Sequence, residues 1–331
     1  MFPQPEMPRS WRVDTKPHKF CPGCGHGLIL KCLGQVIDEL GIQGRLVFGC
    51  DIGCSLLSWD FFNIDTIQTH HGRTVPVMTG LKRARPELLC IAYMGDGGGY
   101  SIGAQHLVNA AARNEKITVI LANNTQYAMT GGQMAPTTLP GQKTETSPFG
   151  RDPEMTGFPL QGPEMVAAIG REGVYSARGS IANLRQLRGF LKKALENQIQ
   201  GRGFSFLEAL SACPTNWRTN AAETWGFIEK DMPRYFKVGE VKTPAAGQGD
   251  GILQGPGGLV VGEVPHLPCP VSFLPPMPGP AGGMVIFQSV QDLPDVQPLV
   301  RIHGDTAFAG RDHFFRSHAA PPAKSFRASS Q

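Results

Sequence analysis

No apolar run in this 331-residue sequence approaches the roughly 20 residues that a membrane-spanning helix requires. The opening MFPQPEMPRSW lacks the basic-then-apolar layout of a secretion signal. Clustered Lys/Arg tracts of the kind that grip nucleic acid are missing too: 31 basic and 27 acidic residues leave a net charge of +4. These absences argue against a helical membrane protein and a nucleic-acid binder, and the expectation is a cytoplasmic chain. A mildly basic balance suits docking to an acidic protein. What is present is ordinary for a globular chain, with 41% hydrophobic and 18% charged residues. The length allows one large α/β domain or two small ones. There are eight cysteines. Without a secretion signal a reducing compartment is expected, where a CxxC pair binds metal or does redox chemistry rather than closing a disulfide. Cys32 and Cys90 lie in apolar runs and read as small buried hydrophobes.

Residues 28–40, LILKCLGQVIDEL, put Ile29, Leu33, Val36 and Leu40 on one helical face. LVFG (46–49), LLCIAYM (88–94), ITVILA (117–122) and FSFLEAL (204–210) read as buried strands. Helical spacing recurs at Ala104, Leu107, Val108 and Ala111, and again at Leu184, Leu187, Leu191 and Leu195. Strand, glycine loop, helix and strand in that order make a βαβ unit, so the predicted fold is α/β with a mostly parallel sheet and helices on both faces. Cys54, Asp96, Asn124 and Cys213 each follow the end of a predicted strand, where open α/β sheets bind ligands. The expected domain is 1–243. Nineteen of the forty residues 244–283 are Gly or Pro, so 244–331 is expected to form loops or disorder, apart from a possible strand in GGMVIFQSV.

GDGGG (95–99) between strand and helix suits a diphosphate held by backbone N–H groups at a helix N-terminus. The carboxylate inside it would repel that diphosphate unless a divalent cation bridged them, and Mg²⁺ favours hard oxygen ligands. Asn123 and Asn124 offer such oxygen after the next strand. GDG followed by NN resembles the pattern of thiamine diphosphate enzymes. That resemblance implies Mg²⁺ ligation by Asp96, the Asn124 side chain and the backbone carbonyl of Gln126, with Gly95, Gly97 and Gly98 at the cofactor.

With CPGCGHG (21–27), IGCS (52–55), HGR (71–73), IGAQHL (102–107), RNEKITVILANN (113–124), YAMTGGQMAPTT (127–138) and CPTNW (213–217) added, the chain resembles the β subunit of the 2-oxoacid:ferredoxin oxidoreductases over roughly residues 15–240. It departs where GDGG replaces the frequent GDGD and where Gln68 replaces a frequent second histidine. The resemblance implies a [4Fe–4S] cluster on Cys21, Cys24, Cys54 and Cys213. Cys50 is the rival for Cys54, and matching IGCS favours Cys54. From spacing alone, structural zinc is the alternative. Gly53, Ser55 and His71 are expected beside the thiamine cofactor, His71 also as the catalytic candidate. His26 is a candidate to orient the cysteine loop, and Arg73, Thr130 and Gln133 are candidates for the substrate side; His70 is a weaker one.

The implied reaction is oxidative decarboxylation of a 2-oxoacid to an acyl-CoA and CO₂. Coenzyme A takes the acyl group, and electrons leave singly through the cluster to ferredoxin. An α-type partner subunit would supply the glutamate that activates thiamine diphosphate. GGQMAPTTLPGQ and CPTNW resemble the 2-oxoglutarate and 2-oxoisovalerate groups more than the pyruvate group. The competing readings are a non-oxidative thiamine diphosphate decarboxylase subunit, which needs no cluster, and a zinc-stabilised subunit without catalysis.

Overall fold

The computed structural model describes residues 7–244. From residue 245 on, the expected tail lies outside the described residues, with Cys269 and the strand expected in GGMVIFQSV. The strands are β1 (Leu46–Cys50), β2 (Asp65–Gln68), β3 (Leu89–Gly95), β4 (Thr118–Asn123), β5 (Gln126–Tyr127), β6 (Gln133–Met134), β7 (Tyr175–Ser180), β8 (Ser205–Leu210) and β9 (Gly239–Lys242). Seven form one sheet in the order β2-β1-β3-β4-β8-β7-β9, all parallel except β9, while β5 and β6 make a small antiparallel ribbon. The helices that matter below are α1 (Gly25–Leu40), α2 (Thr74–Ala84), α3 (Ala104–Ala112), α4 (Pro153–Thr156), α5 (Gly162–Ile169), α6 (Leu184–Ile199) and α7 (Pro214–Trp217). The expected mostly parallel α/β class is therefore what the chain adopts.

Each face of the sheet carries its own core, because alternate residues of a strand point opposite ways. Ile91 and Tyr93 of β3 join Phe48 and Leu207 under α1 and α6. Cys90, Ala92 and Met94 of the same strand join Val119, Leu121 and Phe206 under α2, α3 and α5. Covered on both faces, β1, β4 and β8 are buried at every residue, which is why they read as continuous apolar runs. Cys32 and Cys90 are buried in these cores as expected. Helix α1 turns Ile29, Leu30, Leu33, Val36 and Ile37 inward. It stops at Gly41, whose φ of 62° is left-handed and whose N–H bonds back to the Asp38 carbonyl.

The long connection between β6 and α5 has little regular structure, and one side chain organises it. Arg151 is 5% exposed and donates to six main-chain carbonyls: Nε to Gly157 at 3.0 Å, Nη1 to Ala135 at 3.5 Å, Pro136 at 3.0 Å and Thr138 at 2.5 Å, and Nη2 to Thr156 and Phe158 at 3.2 Å. A buried carbonyl left unpaired costs about 1–3 kcal/mol. Arg151→Met is therefore expected to lower stability by about 3 kcal/mol and to speed amide hydrogen exchange across 135–158. Wild-type protection of that segment in the variant would remove Arg151 as its organiser.

Candidate functional site

Parallel pairing fixes the strand ends relative to one another. Gly95 sits opposite Ala122 and Asn123 opposite Leu210, so the loops that start at Asp96, Asn124 and Ser211 lie side by side on one rim. The loop after β1 ends in a short 3₁₀ turn, Cys54–Ser58, entered through Gly53 at φ 129°.

Four cysteines meet on this rim. Cys21 is exposed, Cys24 and Cys54 are half-buried, and Cys213 is 8% exposed. Cys24 caps α1 and Cys213 caps α7. The α1 N-terminus is pinned to the end of β8: the Gly25 N–H donates to the Ala212 carbonyl at 3.1 Å, and a side chain on Gly25 would collide with Ser211 and Ala212. The thiols feel one another's charge. Burial first, then the neighbouring cysteines, pushes Cys24 and Cys54 up to about 12, and burial raises Cys213. Cys50, the rival, ends β1 inside the core with its sulfur 3.3 Å from the Ser58 hydroxyl. It does not belong to the group. No three His, Cys, Asp or Glu side chains among the described residues are drawn together tightly enough to hold a single metal ion.

The second donor set adjoins the first. Asp96 is 2% exposed; its Oδ1 accepts the Gly97 N–H at 2.9 Å and its Oδ2 accepts the Thr137 hydroxyl. Burial pushes its carboxyl up to about 7. Asn124 is 5% exposed, and its side-chain oxygen is 3.4 Å from the Gln126 N–H. Thr125 between them holds a left-handed φ of 62°, an uncommon conformation for a β-branched residue. A Cβ on Gly95 would meet open space. A buried carboxylate that is costly to charge, an amide oxygen and an open space beside the loop form a hard-oxygen donor set that a divalent cation fits. The two sets are stitched together: Trp217 Nε1 donates to the Asn124 carbonyl at 3.1 Å, and Asn216 Nδ2 to the Ala128 carbonyl at 2.5 Å. The Gln126 side chain lies beside Cys213.

The remaining expected residues fall nearby or aside. Ser55 is buried and donates to the Asp51 carbonyl at 3.0 Å. His71 is exposed after β2, close enough for its charge to favour ionised Asp51, and His70 beside it is exposed too. Arg73 donates to the Ile102 carbonyl at 3.2 Å. Thr130 and Gln133 bond each other. His26 is buried beneath the cysteine loop, its Nδ1 2.6 Å from the Tyr93 hydroxyl, and burial lowers it to about 4, so it stays neutral.

Sequence reasoning missed Thr137, which braces Asp96, and Asp51. The Asp51 carboxylate accepts the Gly72 N–H at 2.7 Å and the Thr74 hydroxyl at 3.2 Å through Oδ1. Its Oδ2 is buried without a partner against Gly98, where a side chain would collide with it. It joins the HGR turn to the glycine loop. The available signal was an acid in GCDIGCS directly after a fully buried strand.

Residues 51–209 match the family described as thiamine pyrophosphate enzyme, C-terminal TPP binding domain. Over 229 residues the chain is 43% identical to ketoisovalerate oxidoreductase subunit VorA of Methanothermobacter thermautotrophicus, covering 68% of this chain and 48% of that one. It thus spans about half the length of the ketoisovalerate relatives it matches. Over 263 residues it is 36% identical to 2-oxoglutarate synthase subunit KorB of Methanothermobacter marburgensis, covering 78% and 86%. Among solved structures it resembles the 2-oxoglutarate:ferredoxin oxidoreductase from Magnetococcus marinus with 2-oxoglutarate, coenzyme A and succinyl-CoA bound, at 30% identity and TM-score 0.59, covering 70% of this chain and 73% of that one.

Burial pushes Asp51 up to about 6 from a usual value of 3.8. A carboxyl that holds its proton more tightly when folded favours the fold less as pH rises from about 4 through about 6. Asp51→Asn keeps the acceptor and gives the orphaned position a donor. The variant is therefore expected to gain on wild type across that interval, by about 3 kcal/mol above pH 6. The measurement is thermal unfolding against pH; a constant gap between the two proteins would reject a penalised carboxylate.

Proposed function

Because this chain belongs to the β subunits of the 2-oxoacid:ferredoxin oxidoreductases, we propose that it carries thiamine diphosphate and a [4Fe–4S] cluster in the oxidative decarboxylation of a 2-oxoacid to an acyl-CoA, with ferredoxin as electron acceptor. The observation that carries this reading is the adjacency, on one rim, of four thiols from three segments and an Asp96–Asn124 oxygen set. When bound, the thiamine cofactor supplies the carbon nucleophile and electron sink, and the cluster the one-electron exit. Asp96, Asn124 and the Gln126 carbonyl would hold Mg²⁺. The N–H groups of Gly95, Gly97 and Gly98 would face the diphosphate, with Gly53, Ser55 and His71 alongside.

Cys21, Cys24, Cys54 and Cys213 would hold the cluster. A single zinc needs its sulfurs gathered at bonds of about 2.3 Å, whereas a four-iron cluster takes one thiolate at each of four separate irons. Four thiols beside the Asp96 loop support the cluster reading. Raised thiol proton affinity is the cost that iron binding offsets, since the ligands must bind as thiolates. Thr137 and Gly97 brace Asp96 towards the glycine loop, and Tyr93 keeps the neutral His26 ring fixed under the cysteine loop. The activating glutamate is assigned to an α-type partner subunit.

The test is anaerobic co-purification of the full chain with its partner subunits. Iron and acid-labile sulfide are expected, with reduction of ferredoxin driven by 2-oxoglutarate or 2-oxoisovalerate and coenzyme A. Cys213→Ser is expected to cut ferredoxin reduction by about 100-fold or more. CO₂ release untouched in that variant would favour a non-oxidative decarboxylase; zinc without sulfide would favour the scaffold reading. Turnover by the chain alone would remove the partner's glutamate from the scheme.

A further inference from the structure

We propose that Glu208 is a positioning residue for the metal–diphosphate site, holding the two loops that bear Asp96 and Asn124 in register. The inference rests on the reading of those residues as the Mg²⁺ ligands. Glu208 stands in the middle of β8 with no exposure. Its Oε2 accepts the Tyr100 hydroxyl, and its Oε1 accepts Asn123 Nδ2 at 3.3 Å and Arg178 Nε at 2.7 Å. Tyr100 belongs to the π-helical turn Gly98–Ile102 that continues the glycine loop, a kind of turn frequent at functional sites. Asn123 immediately precedes Asn124, and its Oδ1 accepts the Thr125 N–H at 3.0 Å, which sets the left-handed turn at Thr125. One carboxylate thus takes a donor from each of the two loops, Asn123 directly before Asn124 and Tyr100 in the turn that follows Asp96.

The charge of this carboxylate carries a cost at this site. It lies close enough to Asp96 to disfavour that group's ionisation, and a further negative charge opposes any diphosphate nearby. Arg178, also without exposure, offsets it and makes a bidentate pair with Glu164 at 2.7 and 2.8 Å. Well-packed apolar residues usually serve stability as well as a buried ion pair. An apolar residue here would leave Tyr100 and Asn123 without their acceptor, and that is what the acid supplies. Tyr100 is held from its far side as well: a side chain on Gly162 would collide with its hydroxyl.

The experiment uses the full chain as co-purified, stripped of thiamine diphosphate and Mg²⁺, and measures thiamine diphosphate affinity by calorimetry at saturating Mg²⁺. Glu208→Gln is expected to raise Kd about 10- to 100-fold, and Tyr100→Phe to raise it by a smaller factor, with the cluster's visible absorption unchanged. Tyr100→Phe leaves the Arg178 pair whole, so it decides the matter if Glu208→Gln does not fold. A merely structural role would lower the thermal midpoint of the stripped protein and leave Kd at the wild-type value. Asp96→Ala is the reference. If it abolishes binding while Glu208→Gln and Tyr100→Phe bind as wild type, the positioning role falls alone. If wild type does not bind, or Asp96→Ala binds normally, the site reading falls and takes the positioning role with it.

Discussion

Everything chemical on this molecule depends on parallel pairing in fixed register. Strands β1, β3, β4 and β8 run the same way and are joined through their main chains, so each loop that leaves a strand end emerges on the same rim. Cys54, Asp96, Asn124 and Cys213 occupy those loops, and none touches another through local sequence. Register in such a sheet is tightly specified, because a one-residue slip would turn the two buried faces inside out. The core therefore does more than stabilise: Ile91 and Tyr93 facing one layer and Cys90, Ala92 and Met94 the other set where Asp96 begins. Helix α1 is the exception, since Cys21 and Cys24 precede it rather than follow a strand. The Gly25 N–H to Ala212 carbonyl bond brings that end to the rim.

The rim so assembled is electrostatically expensive. Two aspartates hold their protons to about 6 and about 7, and two thiols to about 12, with burial the leading cause in each case. Natural chains keep such penalties chiefly where function needs them. Most of the rim's other polar groups are satisfied internally, Asp96 by Thr137 and Gly97 and Asn123 by Glu208 and Thr125. At Asp96, Cys24 and Cys54 the cost falls on groups that a bound cation would offset.

Which parts were legible follows from burial. Strands β1, β3, β4 and β8 are continuous apolar runs, and α1, α3 and α6 keep clean helical spacing. Two strands did not read. β2 is DTIQ, partly exposed at a sheet edge, and β7 is YSARGS, whose Arg178 looks wrong for a buried strand until Glu208 and Glu164 are placed beside it. The helix TVPVMTGLKRA carries both Pro and Gly, which hides its period. Motifs led to the candidate donors at Asp96, Asn124 and the cysteines. They did not lead to the braces Thr137, Asp51 and Glu208, because a brace is defined by contacts across the sheet. Two of them left a signal that went unread, the acids in GCDIGCS and FSFLEAL.

The two donor sets are not independent. CPTNW follows β8 and NNTQYA follows β4, and these neighbouring strands deliver the segments side by side, where Trp217 and Asn216 bond main-chain carbonyls at Asn124 and Ala128. Asp96 raises the proton affinity of both Cys54 and Cys213. The coupling is reciprocal: whatever neutralises Asp96 lowers the cost of a thiolate at those two cysteines, and whatever offsets the thiolates' charge makes Asp96 easier to ionise. Neutralising either set would therefore favour ionisation at the other.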